Sequence, residues 1–117
     1  MDSSLETTLG SLTLKRPTIL ASGILGISLD VFKRLHDAGA GAVVTKSISK
    51  EPWEGYPNPT IFSVKGGGWI NAIGLSNPGA ETFAKMIESN DDVPIVVSLV
   101  GSEEDDFEYM IKKFEKC

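Results

Sequence analysis

Lys46 and Ser47 close a run of apolar residues in GAGAVVTKS, and three other stretches carry hydroxyls or amides after apolar runs. Ser22 and Gly23 follow TILA, Ser98 precedes Gly101 and Ser102 in IVVSLVGS, and Asn71 to Asn77 fill most of NAIGLSNPG. A lysine at the end of an apolar strand is a positive point charge in a partly dry mouth. Its charge-assisted hydrogen bonds to a carboxylate or an electron-rich ring are worth about 1.5–3 kcal/mol each. An asparagine offers a donor and an acceptor together and reads a cyclic amide edge. Gly74 and Gly79 allow backbone N–H groups to come close to a ligand. The set suits an anionic, planar, hydrogen-bonding molecule. No carboxylate pair and no Cys/His cluster accompanies it, so the reading assigns no metal. Each residue also has a plainer role open to it: Lys46 as a solvated strand-end lysine, Ser22, Ser47 and Ser98 as hydroxyls that cap turns. Residue types alone reach only a ligand site of open class.

The elements that must position these groups read as α/β. LETTLGSLTLKRP gives two short strands around Gly10, a hairpin at about 4–15. TILAS (18–22), AVVT (42–45) and IVVSLV (95–100) are apolar without alternation, the pattern of parallel strands covered on both faces. Between the first two, Leu29, Phe32 and Leu35 form one helical face, with Ser28 as N-cap and Gly39 as stop. A second helix starts with Asn77 as cap and Pro78 as first residue, burying Phe83, Met86 and Ile87. A third starts at Ser102 with Asp105 in a capping-box arrangement and carries Phe107, Met110, Ile111 and Phe114 as its stripe. Hairpin, then βα three times, implies a parallel sheet with right-handed crossovers. Ligands of such sheets and barrels bind beyond the C-terminal strand ends, where Ser22, Lys46, Ser47 and Ser98 fall. The insertion at about 47–76 exceeds an ordinary connection, and TIFSVKGGGWIN inside it reads as a second hairpin turning at Gly66 to Gly68. NAIGLSNPG fits neither period and is expected as loop.

Composition narrows the class. The 117 residues carry a formal net charge of −5, with 41% hydrophobic and 23% charged residues. That balance is globular and argues against a nucleic-acid surface, which needs a basic stripe. MDSSLETTLG lacks the pattern of a leader peptide, and no apolar run approaches a membrane span. The single Cys117 suits a reducing cytoplasm and has no base beside it in sequence. His36 reads as a surface residue without a role; Trp53, Phe62 and Trp69 read as lid or interface packing.

ILASG, GAGAVVTKSISKEPWEGYPNPTIF and GGGWINAIGLSNPG together resemble dihydroorotate dehydrogenase, most closely the NAD-linked 1B type of the soluble class 1 enzymes. The resemblance runs in order through essentially the whole chain. It implies an FMN-containing (β/α)8 barrel of pyrimidine biosynthesis that oxidises dihydroorotate to orotate, a base taking the C5 proton and hydride passing from C6 to FMN. On this reading Ser22, Lys46, Ser47 and Ser98 bind the cofactor. Lys46, Asn71, Ala72, Ile73, Gly74 and Leu75 hold the substrate. The chain is expected to form one partial domain, residues 1–117: three β/α units after an N-terminal hairpin.

The pattern departs in places. Trp53 stands where the family often has Arg, Tyr56 where it often has Asn, and Ser98 where it commonly has an Asn that touches FMN. The family's catalytic cysteine segment would follow residue 117. No catalytic residue is therefore assigned, and the chain alone is expected to be inactive. The implied partners are dihydroorotate or orotate, an iron–sulfur flavoprotein that passes electrons to NAD, and a second copy in a homodimer; nucleic acid and membrane are not expected. Two other readings stay open. One is a related flavin barrel such as dihydropyrimidine dehydrogenase. The other is a non-catalytic half-barrel that binds a ligand without chemistry.

Overall fold

The computed structural model describes residues 5–117. Gly10, at φ 60°, turns the first hairpin, in which β1 (Thr7–Leu9) pairs antiparallel with β2 (Leu12–Leu14). The expected start of this hairpin at Ser4 lies outside the described residues. The chain then gives β3 (Ile19–Leu20), α1 (Leu29–Asp37) and β4 (Ala42–Val44). The insertion contributes β5 (Ile61–Ser63) and β6 (Trp69–Asn71), followed by α2 (Ala80–Ile87), β7 (Ile95–Val96) and α3 (Glu104–Phe114).

β3, β4 and β7 form a parallel sheet in that order, with Leu20 opposite Val43 and Val43 opposite Ile95. Those residues face the helices: Val43 belongs to a buried cluster with Phe32, Ile48, Ala80, Phe83, Ile87, Val93 and Met110, and Leu20 and Ile95 pack against it. Phe83 of α2 meets Phe114 of α3 edge-to-face, ring centroids 6.2 Å apart. The expected faces of α1 and α2 are the buried ones.

The second face of the sheet is covered only in part, contrary to the reading of the apolar runs: Ala42 is buried there and Val44 half-buried, but the outer strands are open. Ile19 and Val96, one register step from the core-facing residues, are each 39% exposed. Phe107 and Ile111, expected in the stripe of α3, are also exposed, and Met110 alone of that stripe is fully buried. The total accessible surface is 8121 Å², where about 6,200 Å² is expected of a compact domain of this mass. The radius of gyration, 16.2 Å, likewise exceeds the about 13 Å of a compact chain of this size.

The helix starts differ from expectation. Ser28 has the extended backbone of an N-cap but its hydroxyl makes no capping bond. α2 is capped at Gly79 rather than Asn77, and α3 at Glu103 rather than Ser102. In the first case the asparagine side chain is committed elsewhere, as described below. His36 is half-buried rather than a bare surface residue, and its Nδ1–H donates to the Ala40 carbonyl at 2.8 Å just past the end of α1. Gly66, Gly67 and Gly68 turn the second hairpin as expected, whereas Asn71, expected in the loop, is the last residue of β6.

Candidate functional site

A bulge interrupts the ladder at the strand-end lysine and serine. Thr45 N–H donates to the Val96 carbonyl, and the next ladder bond runs from Ile48 N–H to the Ser98 carbonyl. Three residues on one strand thus span two on its neighbour. A bulge of this kind bends a strand and re-aims a side chain, often beside an active site. The gap it leaves is filled by Thr45, fully buried, whose Oγ1 accepts from Ser98 N–H at 3.0 Å. This is also why the strands end earlier than the apolar runs do. Thr45 had no expected role; its signal was a β-branched hydroxyl inside an otherwise apolar run.

Ser47 and Ser98 face each other across this bulge, Oγ to Oγ 3.1 Å. Lys46 is half-buried, its backbone N–H donates to the Gly26 carbonyl at 2.6 Å, and no carboxylate pairs with its ammonium among the described residues. Gly26 is a second residue the sequence reading passed over. A side chain there would overlap the backbone of Thr45 and Lys46, so only glycine lets the loop after β3 lie this close to the strand end. Ser22 is exposed in that same loop and has no hydrogen bond to Lys46, Ser47 or Ser98 among the described residues. The structure thus joins Ser47 to Ser98, with Lys46 beside Ser47 in the bulge, and ties Ser22's loop to Lys46 through Gly26 rather than through Ser22 itself.

The NAIGLSNPG loop is tied to the same strand end from behind. Asn77 Oδ1 accepts from Ser49 N–H at 3.1 Å and Gly79 N–H at 2.9 Å, while Nδ2 donates to Ser49 Oγ at 2.8 Å and the Leu75 carbonyl at 2.9 Å. The backbones of Asn77 and Trp53 exchange both bonds, at 2.8 and 2.9 Å. Gly74, at φ 75°, lies under the Tyr56 ring, where a Cβ would come within 2.6 Å of it. Asn71, Ala72 and Leu75 are exposed, and Ile73 and Gly74 half-buried. Of the five residues expected to hold a ligand, Asn71 thus ends β6 and the other four lie on the braced loop that follows it. Trp53, Phe62 and Trp69 are all exposed, Trp69 the most at 75%.

A cavity of about 590 Å³ opens on the other side of the loop. Gly74 and Leu75 belong to its lining, as do Lys50, Trp53, Tyr56 and Asp106; Ser22, Lys46, Ser47 and Ser98 do not. Its one cation is already paired, and its other charges, Asp106 and Glu51, are acidic. Lys50 Nζ lies 3.2 Å from Asp106 Oδ1 and 5.6 Å from the centre of the Tyr109 ring. The Lys50 ammonium holds the Asp106 carboxyl below the usual range, against an opposing push from burial, and the Ser102 backbone N–H adds to the lowering. Unsatisfied charge makes Lys46, Ser47 and Ser98 the stronger candidate for recognising an anion, and the volume beside Lys50 the weaker.

The dihydroorotate dehydrogenase family profile matches residues 4–117. The chain belongs to the dihydroorotate dehydrogenase family. It is 44% identical over 112 residues to the dihydroorotate dehydrogenase B (NAD(+)) catalytic subunit of Pyrococcus horikoshii, covering 95% of this chain and 37% of that one. To the Methanothermobacter thermautotrophicus subunit of the same name it is 47% identical over 104 residues, covering 88% and 34%. The chain thus spans a little over a third of the length of the curated relatives it matches. Among solved structures it is similar to DHODH from Eimeria tenella, in complex with ferulenol (TM-score 0.73, 21% identity, 97% of this chain and 34% of that chain). The ligand-free form gives a TM-score of 0.76 at 22% identity, over 96% and 35%. At these identities the likeness concerns the fold. Among the described residues no helix is long and apolar enough to cross a membrane.

Proposed function

We propose that these residues form the first three β/α units of an FMN-binding (β/α)8 barrel that oxidises dihydroorotate to orotate in pyrimidine biosynthesis, with residues 1–117 as one part of that domain. The observation that carries this reading is the bulge at Lys46–Ser47. It sets an unpaired lysine and two facing hydroxyls at the strand ends where such barrels hold ligands. The donor set fits the cofactor: Ser47 and Ser98 each offer a donor and an acceptor to a polar ring edge, and Lys46 a cation to its electron-rich part. When bound, FMN supplies the hydride acceptor. Lys46 would touch both flavin and substrate, Ser22 would close the flavin side, and Asn71, Ala72, Ile73, Gly74 and Leu75 would bind the orotate ring. No described residue is assigned the base. Cys117 lies by a separate small cavity with Ile95 and Ile87, toward the start of β7.

The barrel reading also accounts for the partly open sheet face. A (β/α)8 barrel fills its interior with side chains from alternate strands, and the exposed Ile19 and Val96 would be such residues. The edges of β3 and β7 would pair within the barrel rather than stay open. The relatives named as catalytic subunits support a second subunit as partner, here an iron–sulfur flavoprotein that carries electrons to NAD. A cytoplasmic location and a homodimer complete the proposal.

The test is anaerobic. The protein that carries this sequence, purified at its natural length, is expected to show a flavin spectrum that bleaches on addition of dihydroorotate, with orotate formed. Flavin that stays oxidised under dihydroorotate would remove the proposal.

A further inference from the structure

We propose that Asn77 is the positioning residue of the substrate loop: its carboxamide holds Leu75 in a left-handed conformation and so fixes the backbone that faces the ligand. The inference rests on the reading of residues 71–75 as the orotate loop. Leu75 has φ 56°, and is the one non-glycine residue with positive φ among those described; Gly74 before it has φ 75°. Two successive left-handed residues reverse the chain and set the direction in which its N–H and C=O groups point.

Glycine adopts that conformation freely, but leucine does not, because its Cβ crowds the following carbonyl. Leucine has no polar side chain with which to compensate, and Leu75 is exposed, so packing does not hold it either. The side chain that reaches its carbonyl is Asn77, through Nδ2–H at 2.9 Å. Asn77 is itself only 7% exposed, and both ends of its amide are used. The two ends do different jobs. Oδ1 anchors Ser49 and the Gly79 N–H ahead of α2, whereas Nδ2 reaches back into the loop and to the Ser49 hydroxyl. A residue that only started α2 would need no donor aimed at Leu75.

Asn77→Asp separates the two roles. It keeps an acceptor for the Ser49 and Gly79 N–H groups and replaces Nδ2 by a second acceptor, to which the Ser49 hydroxyl can turn and donate but the Leu75 carbonyl cannot. The experiment titrates the flavoprotein with orotate, following the flavin absorbance, for wild type, Asn77→Asp, Asn77→Ala and Asn71→Ala, and records flavin content and the kinetics with dihydroorotate. Asn77→Asp is expected to raise the orotate Kd and the dihydroorotate KM about tenfold, the size of one lost hydrogen bond with its acceptor left unsatisfied. Flavin content should be unchanged and kcat should stay within about twofold, since no flavin-facing side chain has moved. If Asn77→Ala does not fold, Asn77→Asp still decides. Wild-type Kd and KM for Asn77→Asp, with Asn71→Ala weakened, would overturn this inference alone. An unchanged Kd for Asn71→Ala would instead remove the orotate-loop reading, and this inference with it.

Discussion

Two lysines four residues apart meet opposite fates in this chain. Lys50 is neutralised by Asp106 at 3.2 Å and rests near Tyr109, beside the larger cavity. Lys46, inside the bulge, has no carboxylate partner among the described residues and precedes Ser47, whose hydroxyl faces that of Ser98. Volume and unsatisfied chemistry thus point to different places. A cavity whose one lysine is already neutralised, and whose other charges are acidic, offers an anion no free cation, whereas an uncompensated lysine gains from any anion that arrives. Substitutions in the protein that carries this sequence, at its natural length, break or sharpen the contrast.

The largest expected effect is at Lys46. Lys46→Ala removes a charge-assisted contact to both proposed ligands, so orotate affinity should fall by about 10- to 100-fold and flavin should be lost on gel filtration. Lys50→Ala should leave orotate affinity within about twofold of wild type. Next come the facing serines. Ser47→Ala and Ser98→Ala should each weaken flavin retention by about three- to tenfold. The double variant should lose less than the product of the two, because each hydroxyl is the other's partner. A fully multiplicative loss would show that the pair does not act as one unit.

The smallest effects concern stability and pH. Asp106 is held below the usual carboxylate range by Lys50, and Glu81 likewise by Lys113 and then Lys85. A carboxylate with a depressed folded-state pKa adds stability above its unfolded value, and that contribution goes as pH falls through the folded value. The melting temperature should therefore decline as pH falls through and below the ordinary carboxylate range, and Lys50→Met should make that decline shallower. Lys113 is raised, chiefly by Glu81. Its share is full below the unfolded lysine value and goes only as pH rises through the raised one, well into the alkaline range. All of these pairs are partly or largely open to water, so each shift should be small.

The order of elements was legible because its signals are local. Non-alternating apolar runs gave the three parallel strands, helical spacing gave the buried faces of α1 and α2, and the glycine run at 66–68 gave the second hairpin turn. The misses are tertiary. A bulge is a mismatch between two strands 50 residues apart in sequence, so neither strand records it. It shortened the strands and gave Thr45 a role that TKS alone did not assign. Asn77 was read as a helix cap by its neighbour Pro78, but its amide is spent on Ser49 and Leu75, and the cap moves to Gly79. Periodicity cannot say whether the second face of a sheet is covered, since an unalternating run looks the same with its outer face packed or open. The site residues stood out by type and by place at the strand ends, and the resemblance divided them between cofactor and substrate. The residue chemistry alone reached an anionic, planar ligand and stopped there.

The central claim is that the ligand end of this fold is the bulge with its unpaired lysine. Orotate titration of the flavoprotein, with wild type, Lys46→Ala and Lys50→Ala measured side by side, tests it most directly. The account predicts a flavin absorbance change on orotate binding that is nearly abolished by Lys46→Ala and kept by Lys50→Ala. The reverse pattern, with Lys46→Ala binding normally and Lys50→Ala failing, would move the site to the cavity beside Asp106 and contradict it.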